Sequence, residues 1–394
     1  MRVCRIAVNA ADVDIIVVGA GIQGAGAAQA AAAAGYSVVL LEQTGIASGT
    51  SSRSSKLIHG GLRYLESGQL KLVRECLRER TLLLRNAPDL VRLTPHYLPV
   101  YRDTLRRPFM LRVGLSLYAL LGGLRPDLRF DTVPRSEWAT LDGVRQDGLQ
   151  AVFRYFDAQT DDAALTRAVV RSAESLGMRL LMPATLLSAV ANEHGVQVRY
   201  RDATGEQVLR CAALVNAAGP WVNALLERIE PRAQTLDIDW VAGTHIVLPQ
   251  RLTQGVYYAE ARDGRAVFIM PWLDGQTLVG TTERIYQGDP AAVAPTPAEV
   301  DYLLNTVHHY FPAYARLEPT EAFAGLRVLP RADNAAFGRS RDTRLHITHE
   351  QRVVSIYGGK LTAYRATAAK AVRLLQAVLP ARVRRARTED LRLG

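Results

Sequence analysis

Asp14-Ile15-Ile16-Val17-Val18-Gly19-Ala20-Gly21-Ile22-Gln23-Gly24 sets how this 394-residue chain begins to fold. An apolar run enters a glycine-rich turn and continues into an alanine-rich stretch, which predicts a strand, a tight turn and a helix over about 24–34. Gly19 permits the turn, Gly21 lets backbone approach a pyrophosphate, and Gly24 lets the helix lie close against the strand. The phosphates would sit over unpaired N–H groups at the positive end of that helix. A second strand over 37–41 ends at Glu42, about 20 residues past the first glycine, where a carboxylate can accept hydrogen bonds from a ribose. The pattern predicts dinucleotide binding and leaves the choice between nicotinamide and flavin open.

Bulk properties narrow the class. The length suits two packed domains, and 48% apolar with 22% charged residues is the balance of a globular protein. A formal charge of +10, carried mostly by arginine, favours an anionic ligand or membrane face. The arginines are spread along the chain without a nucleic-acid-binding motif, so no nucleic acid is expected. Cys4, Cys76 and Cys211 are isolated, which excludes a disulfide framework and a cysteine metal site and suits a reducing cytoplasm. Residues 1–12 read as a leader without the apolar core of a signal peptide, and no apolar run is long enough to span a bilayer.

Beyond the opening unit, a polar segment over 45–61 precedes a helix predicted over 69–86, with Leu70, Val73, Leu77 and Leu84 on one side and Pro88 closing it. Further helices are expected over 109–121, 163–176, 297–311 and 361–379. Short strands are expected through 179–215, at 244–248, 266–270 and 277–279, and at 345–348 and 353–356. A βαβ start, a strand-rich middle and a strand–glycine–helix return imply one domain assembled from distant segments, with a second sheet inserted.

The stretch Thr50-Ser51-Ser52-Arg53-Ser54-Ser55-Lys56-Leu57-Ile58-His59-Gly60-Gly61-Leu62-Arg63-Tyr64-Leu65-Glu66 closely resembles the signature of FAD-dependent glycerol-3-phosphate dehydrogenases, within the D-amino-acid-oxidase-like superfamily. The resemblance continues through Asn216–Trp221, Gly243–Val247, Val279–Thr282, Gly325–Arg327 and Gly358–Arg365, covering roughly 13–375 in the family's order. It implies a mixed α/β fold: a Rossmann-like FAD-binding domain (13–90, 145–235 and 325–380) with an inserted antiparallel-sheet substrate domain (91–144 and 236–324). It also implies FAD as cofactor, hydride transfer from sn-glycerol 3-phosphate to flavin N5 giving dihydroxyacetone phosphate, and electrons handed to a membrane quinone.

The residue types suit those tasks. Arg63, Arg327 and Arg341 are fixed cations able to grip a phosphate bidentately. The resemblance places Arg63 and Tyr64 in the substrate pocket and Arg327 at a substrate contact, with Arg341 as a further phosphate ligand. His245 can take or relay the hydroxyl proton near neutral pH, and Lys360, in the last glycine turn, can stabilise negative charge on a reduced flavin. The catalytic set is therefore His245, Arg327 and Lys360. Flavin contacts are expected from Gly19, Gly21, Gly24, Glu42, Thr50, Ser51, Ser52, Ser55, Lys56, Gly61, Ala218, Gly219, Trp221, Gly359, Lys360, Leu361 and Thr362, and no metal is expected.

Two departures from the family pattern stand out. A helical C-terminal domain of on the order of a hundred residues, usual in bacterial relatives, is expected to be absent. In its place the last helix leads into a basic tail over 381–394, and Val328 follows Arg327 where the family often has proline. Arg106, Arg107 and Arg112 flank the apolar run 109–121, which suits a peripheral helix on the anionic inner face of a membrane. The oligomeric state is left open. The alternative functions are a flavin dehydrogenase or oxidase of another anionic hydroxy or amino compound, and a non-catalytic FAD-binding protein.

Overall fold

Every residue of Val13–Val18 is buried, as a strand covered by helices on both faces of a parallel sheet must be. In the computed structural model, which describes residues 11–331 and 343–394, this strand pairs in parallel with Val38–Leu41 on one side and Gly205–Asn216 on the other. The helix Ile22–Ala33 crosses between the first two strands, almost wholly buried. Its alanines let it nest between Asp162–Ser175 and Tyr364–Leu374, forming one core with Leu165, Val169, Tyr364 and Ala368. Arg179–Leu181 extends this sheet at one edge, and the antiparallel strands Gly195–Asp202 and Thr185–Asn192 extend it at the other. Val353–Tyr357 returns late in the sequence to pair in parallel with the end of Gly205–Asn216.

The second sheet runs, in order, Arg284–Tyr286, Ile238–Leu248, Gln276–Gly280, Ala266–Trp272, Val256–Glu260, Val91–Tyr101, Leu149–Thr160 and Leu57–Ile58. Glu321–Pro330 pairs with Ile238–Leu248 from Ile238 through Val247. One face carries the helix Pro297–Tyr310 on a core of Tyr97, Tyr101, Tyr257 and Phe311, and the helix starts with a capping box between Thr296 and Glu299. The opposite face packs on Leu70–Asn86 and Pro108–Leu121 through Leu77, Leu115, Tyr118, Phe153 and Tyr155. The sheet curls, because Ser55, just ahead of the edge strand Leu57–Ile58, reaches His245 on Ile238–Leu248 with its hydroxyl 3.0 Å from Nε2.

Several expectations need correction. Leu149–Thr160 and the 325–330 part of Glu321–Pro330, assigned to the dinucleotide-binding unit, belong to strands of the second sheet, because their registers run against Val91–Tyr101 and Ile238–Leu248. The last helix stops at Leu374 rather than near 379. The basic tail is a strap laid on the protein. Arg382 forks onto Asp14 at 2.8 and 3.0 Å, Arg385 N and Ala386 N donate to Ala33 O, and Leu393 is buried with its N–H on Asn86 O. Arg106 is half-buried and bonded to Glu66 and Glu260 at 2.5 and 2.7 Å, so its charge is engaged inside the fold rather than offered to a surface. Of the leader, residues 1–10 lie outside the described residues.

Candidate active site

The turn after Val13–Val18 has the shape a pyrophosphate needs. Gly19 has φ +100°, and a Cβ there would stand 2.7 Å from the Ala217 carbonyl oxygen, while a Cβ on Gly24 would stand 1.8 Å from the Gly19 carbonyl oxygen. Strand, turn and helix can meet only with glycine at both positions. Ile22–Ala33 has no acidic residue in its first turn and no side-chain cap from Gly21, so its positive end is suited to an anion. Ser51 Oγ accepts from Ile22 N at 2.9 Å, which brings the 50–56 loop over that end. Glu42 is buried, with Oε2 accepting from Ala20 N at 2.7 Å and Oε1 from Thr44 N at 2.8 Å. Those bonds fix the carboxylate beside the turn while leaving acceptor capacity for ribose hydroxyls.

The loop is held by its own side chains. Thr50 Oγ1 donates to Leu326 O at 2.8 Å and Ser52 Oγ to Gly49 O at 3.2 Å. Lys56 gives its ammonium to Ser52 O and, at 2.6 Å, to buried Asp162 at the start of Asp162–Ser175. The charge expected to line a flavin is thus anchored inside the protein, and what Lys56 shapes is the path of the loop backbone. Across from the loop, Thr362 Oγ1 accepts from His59 N at 3.1 Å, and Gly359 adopts φ +111° against the Gln23 amide. Leu361 packs on the helix core nearby, and Ala218, Gly219 and Trp221 form the turn that follows Gly205–Asn216 beside Gly19. Lys360 Nζ is buried without a hydrogen-bond partner among the described residues and lies 3.8 Å from the Tyr64 ring centroid. A buried ammonium set against a π face calls for an additional acceptor or anion, which suits a cofactor able to carry negative charge.

A cleft opens between the curled sheet and the 59–64 segment, with Gly61 (φ +79°) at the bend. Ser55, Arg63, Tyr64, Arg265, Glu283 and Arg327 are on its wall. Glu283 Oε1 lies 3.1 Å from Arg327 Nη1 and 3.8 Å from Arg63 Nη2, tying the two guanidiniums together. His245 is buried behind Ser55, stacked on Phe323 at 5.2 Å. Burial, then the charges of Arg327 and Lys56, push its pKa down to about 3, so the ring is neutral at physiological pH.

The structure therefore brings Arg63, Tyr64 and Arg327 to one cleft, with His245 reaching it through Ser55 and Lys360 standing behind Tyr64. Arg341 lies outside the described residues. Sequence reasoning missed Arg265 and Glu283. Glu283 directly follows the Val279–Thr282 motif, which was its only signal. It also missed His96, Tyr155 and Asp157, which line the deeper part of the cleft.

The family model described as FAD dependent oxidoreductase (DAO) matches residues 14–365. The chain belongs to that FAD-dependent oxidoreductase family. The glycerol-3-phosphate dehydrogenase of Pseudomonas aeruginosa is 38% identical over 375 residues, covering 92% of this chain and 71% of the relative. The D-erythritol 1-phosphate dehydrogenase of Brucella abortus is 34% identical over 378 residues, covering 93% and 74%. The crystal structure of glycerol-3-phosphate dehydrogenase from Bacillus halodurans complexed with FAD superposes with a TM-score of 0.72 at 28% identity, covering 96% of this chain and 68% of that one. FAD is thus the cofactor of this oxidoreductase. The glycine turn, the positive helix end free of acidic side chains, Glu42 and the Lys360 ammonium, without a hydrogen-bond partner among the described residues, are the features of this chain that fit it. No group of side chains suited to a metal ion occurs among the described residues.

Proposed function

We propose that this FAD-dependent oxidoreductase converts sn-glycerol 3-phosphate to dihydroxyacetone phosphate and passes the electrons to a membrane quinone. The observation that carries the reading is the convergence of Arg63, Arg265 and Arg327 on one cleft, with Ser55 and neutral His245 behind it. Bound FAD supplies the acceptor for a hydride from the substrate carbon. The guanidiniums grip the phosphate and so fix which carbon is presented. His245, through Ser55, takes the hydroxyl proton. An anion beside Arg327 offsets part of the positive field that holds the imidazole's pKa down, so substrate binding makes His245 a stronger base. Two of the similar proteins are named for phosphorylated polyols, which supports the same substrate chemistry here.

Among the described residues no helix is long and apolar enough to cross a membrane. Pro108–Leu121 instead exposes Phe109, Met110, Val113 and Leu120 on the side away from its packed face, with Arg107 and Arg112 alongside. That amphipathic surface is suited to an anionic bilayer, where a quinone is within reach. The test is anaerobic addition of sn-glycerol 3-phosphate to the purified yellow holoenzyme. Bleaching of the flavin spectrum is expected, with dihydroxyacetone phosphate as product. A spectrum unchanged by sn-glycerol 3-phosphate would refute the reading.

A further inference from the structure

The cleft has two chemically different ends. Arg327, Glu283 and Arg63 occupy one. Tyr258 follows, close enough to Arg63 and Arg106 to feel both charges, and Tyr155 lies next, within the field of Tyr258 and Asp157. The His96 ring packs tilted against Tyr155, with centroids 5.2 Å apart, in register with it across Val91–Tyr101 and Leu149–Thr160. The deep end is rich in acceptors. His96 Nδ1 lies 2.9 Å from the Thr94 carbonyl oxygen, which can only accept, so Nδ1 carries the hydrogen and Nε2 presents a lone pair. Nε2 has no hydrogen-bond partner among the described residues, although His96 is 1% exposed. Burial holds the ring neutral, with its pKa pushed down to about 4. Asp157 beside it accepts from Tyr118 Oη at 2.8 Å and is backed by fully buried Arg80 at 3.5 Å.

A buried acceptor on a cavity wall is stabilised by a donor from whatever fills the cavity, and the donor that fits a neutral imidazole and a carboxylate is a hydroxyl. A ligand carboxylate would meet Asp157 and the His96 lone pair, both of which repel it. Strand order puts four steps between Ile238–Leu248, the partner strand of Arg327, and Val91–Tyr101, which carries His96. Curling shortens that path. A three-carbon phosphate is shorter than two strand spacings, about 10 Å, so one anchored at Arg327 would leave the deep end for further carbons.

We propose that His96, Tyr155 and Asp157 form a hydroxyl subsite that selects phosphorylated alditols of four or more carbons over three-carbon substrates and over hydroxy or amino acids. This rests on the proposed oxidation of sn-glycerol 3-phosphate and extends it: the three-carbon substrate is turned over, and longer alditol phosphates gain from the added contacts.

The test compares anaerobic flavin reduction of the holoenzyme by sn-glycerol 3-phosphate and by erythritol 1-phosphate, in wild type, His96→Phe and His96→Gln. The four-carbon substrate is expected to have the larger kcat/KM in wild type. His96→Phe should lower it about tenfold, the loss of about 1.4 kcal/mol, while changing the three-carbon value less than twofold. His96→Gln, which restores an acceptor, should recover most of that loss and also serves if the phenylalanine variant does not fold. Reduction by glycerol 3-phosphate with no advantage for the longer chain, or equal losses on both substrates, overturns the subsite and leaves the proposed function standing. Reduction by neither overturns both.

Discussion

Glu283 places a carboxylate between two guanidiniums on a cleft suited to an anion. The three side chains are 7–23% exposed, so screening by solvent is partial. An incoming phosphate shares Arg63 and Arg327 with a resident negative charge and is repelled by it. Glu283→Gln removes that charge while keeping an oxygen for the arginines. The KM for the phosphorylated substrate is expected to fall about fivefold, roughly 1 kcal/mol after screening, with kcat changed less. Steady-state kinetics check this, and a raised KM would show that the carboxylate's main work is to hold the guanidiniums in place. At this scale the sequence was informative where chemistry travels in contiguous motifs: Arg63 and Tyr64 follow a glycine pair, and Lys360 closes another. It was silent on His96, Tyr155 and Asp157. Thr94-Pro95-His96 has no spacing that signals a ligand contact, and these side chains meet only through strand pairing.

Among the elements, Val13–Val18, Ile22–Ala33 and Val38–Leu41 were legible because a continuous apolar run, a glycine turn and an alanine helix point the same way. Val91–Tyr101 was not, since Pro95 and Pro99 punctuate it and read as turn signals. In the sheet both prolines sit in a strand whose register with Leu149–Thr160 is otherwise continuous up to Val100. Pro108–Leu121 is a helix as expected, but of the three arginines attached to it Arg106 is occupied by Glu66 and Glu260, so reversing it would break the fold's own ion pairs. The membrane test therefore belongs to the exposed apolar residues. Phe109→Glu with Val113→Glu, at 76% and 51% exposed, replaces side chains that touch little of the protein. Cosedimentation with anionic vesicles is expected for wild type and to weaken at least about tenfold in the double variant, since each apolar side chain contributes roughly 1.5–3 kcal/mol when buried. Turnover with a water-soluble electron acceptor should be unchanged. Wild type that stays in the supernatant would remove this face from consideration.

At the scale of the whole molecule, the last residues tie together segments that the sequence separates by hundreds of positions. Arg365, at the start of Tyr364–Leu374, forks onto Glu79 of Leu70–Asn86 at 2.5 and 2.8 Å, and it also reaches Thr388 of the strap at 3.1 Å. The strap's Glu389 accepts from Arg78 at 2.6 Å and Arg387 at 2.9 Å, and its backbone carbonyl accepts from Asn86 at 2.7 Å. Of the basic run at 382–387, Arg382 pairs with Asp14 of the first strand, Arg385 donates to the Leu176 carbonyl, and Arg387 pairs with Glu389 and Asp390 of the strap itself. Arg365 and Glu79 have side chains 12% and 2% exposed, so removing one partner leaves a charge with little access to water. Arg365→Ala is therefore expected to lower the free energy of unfolding of the holoenzyme by about 3–5 kcal/mol. Replacing both partners with methionine should recover most of it, because no charge is then stranded. Denaturant titration measures the first effect. Limited trypsin digestion reads the second link: Arg384, Arg385 and Arg387 are exposed side chains on an anchored backbone, and a released strap lets that backbone enter the protease. Faster cleavage there in Arg365→Ala than in wild type is expected, with the rest of the chain intact. Unchanged cleavage alongside a lost ion pair would mean that the strap is held by Arg382–Asp14 and Leu393 without help from Arg365.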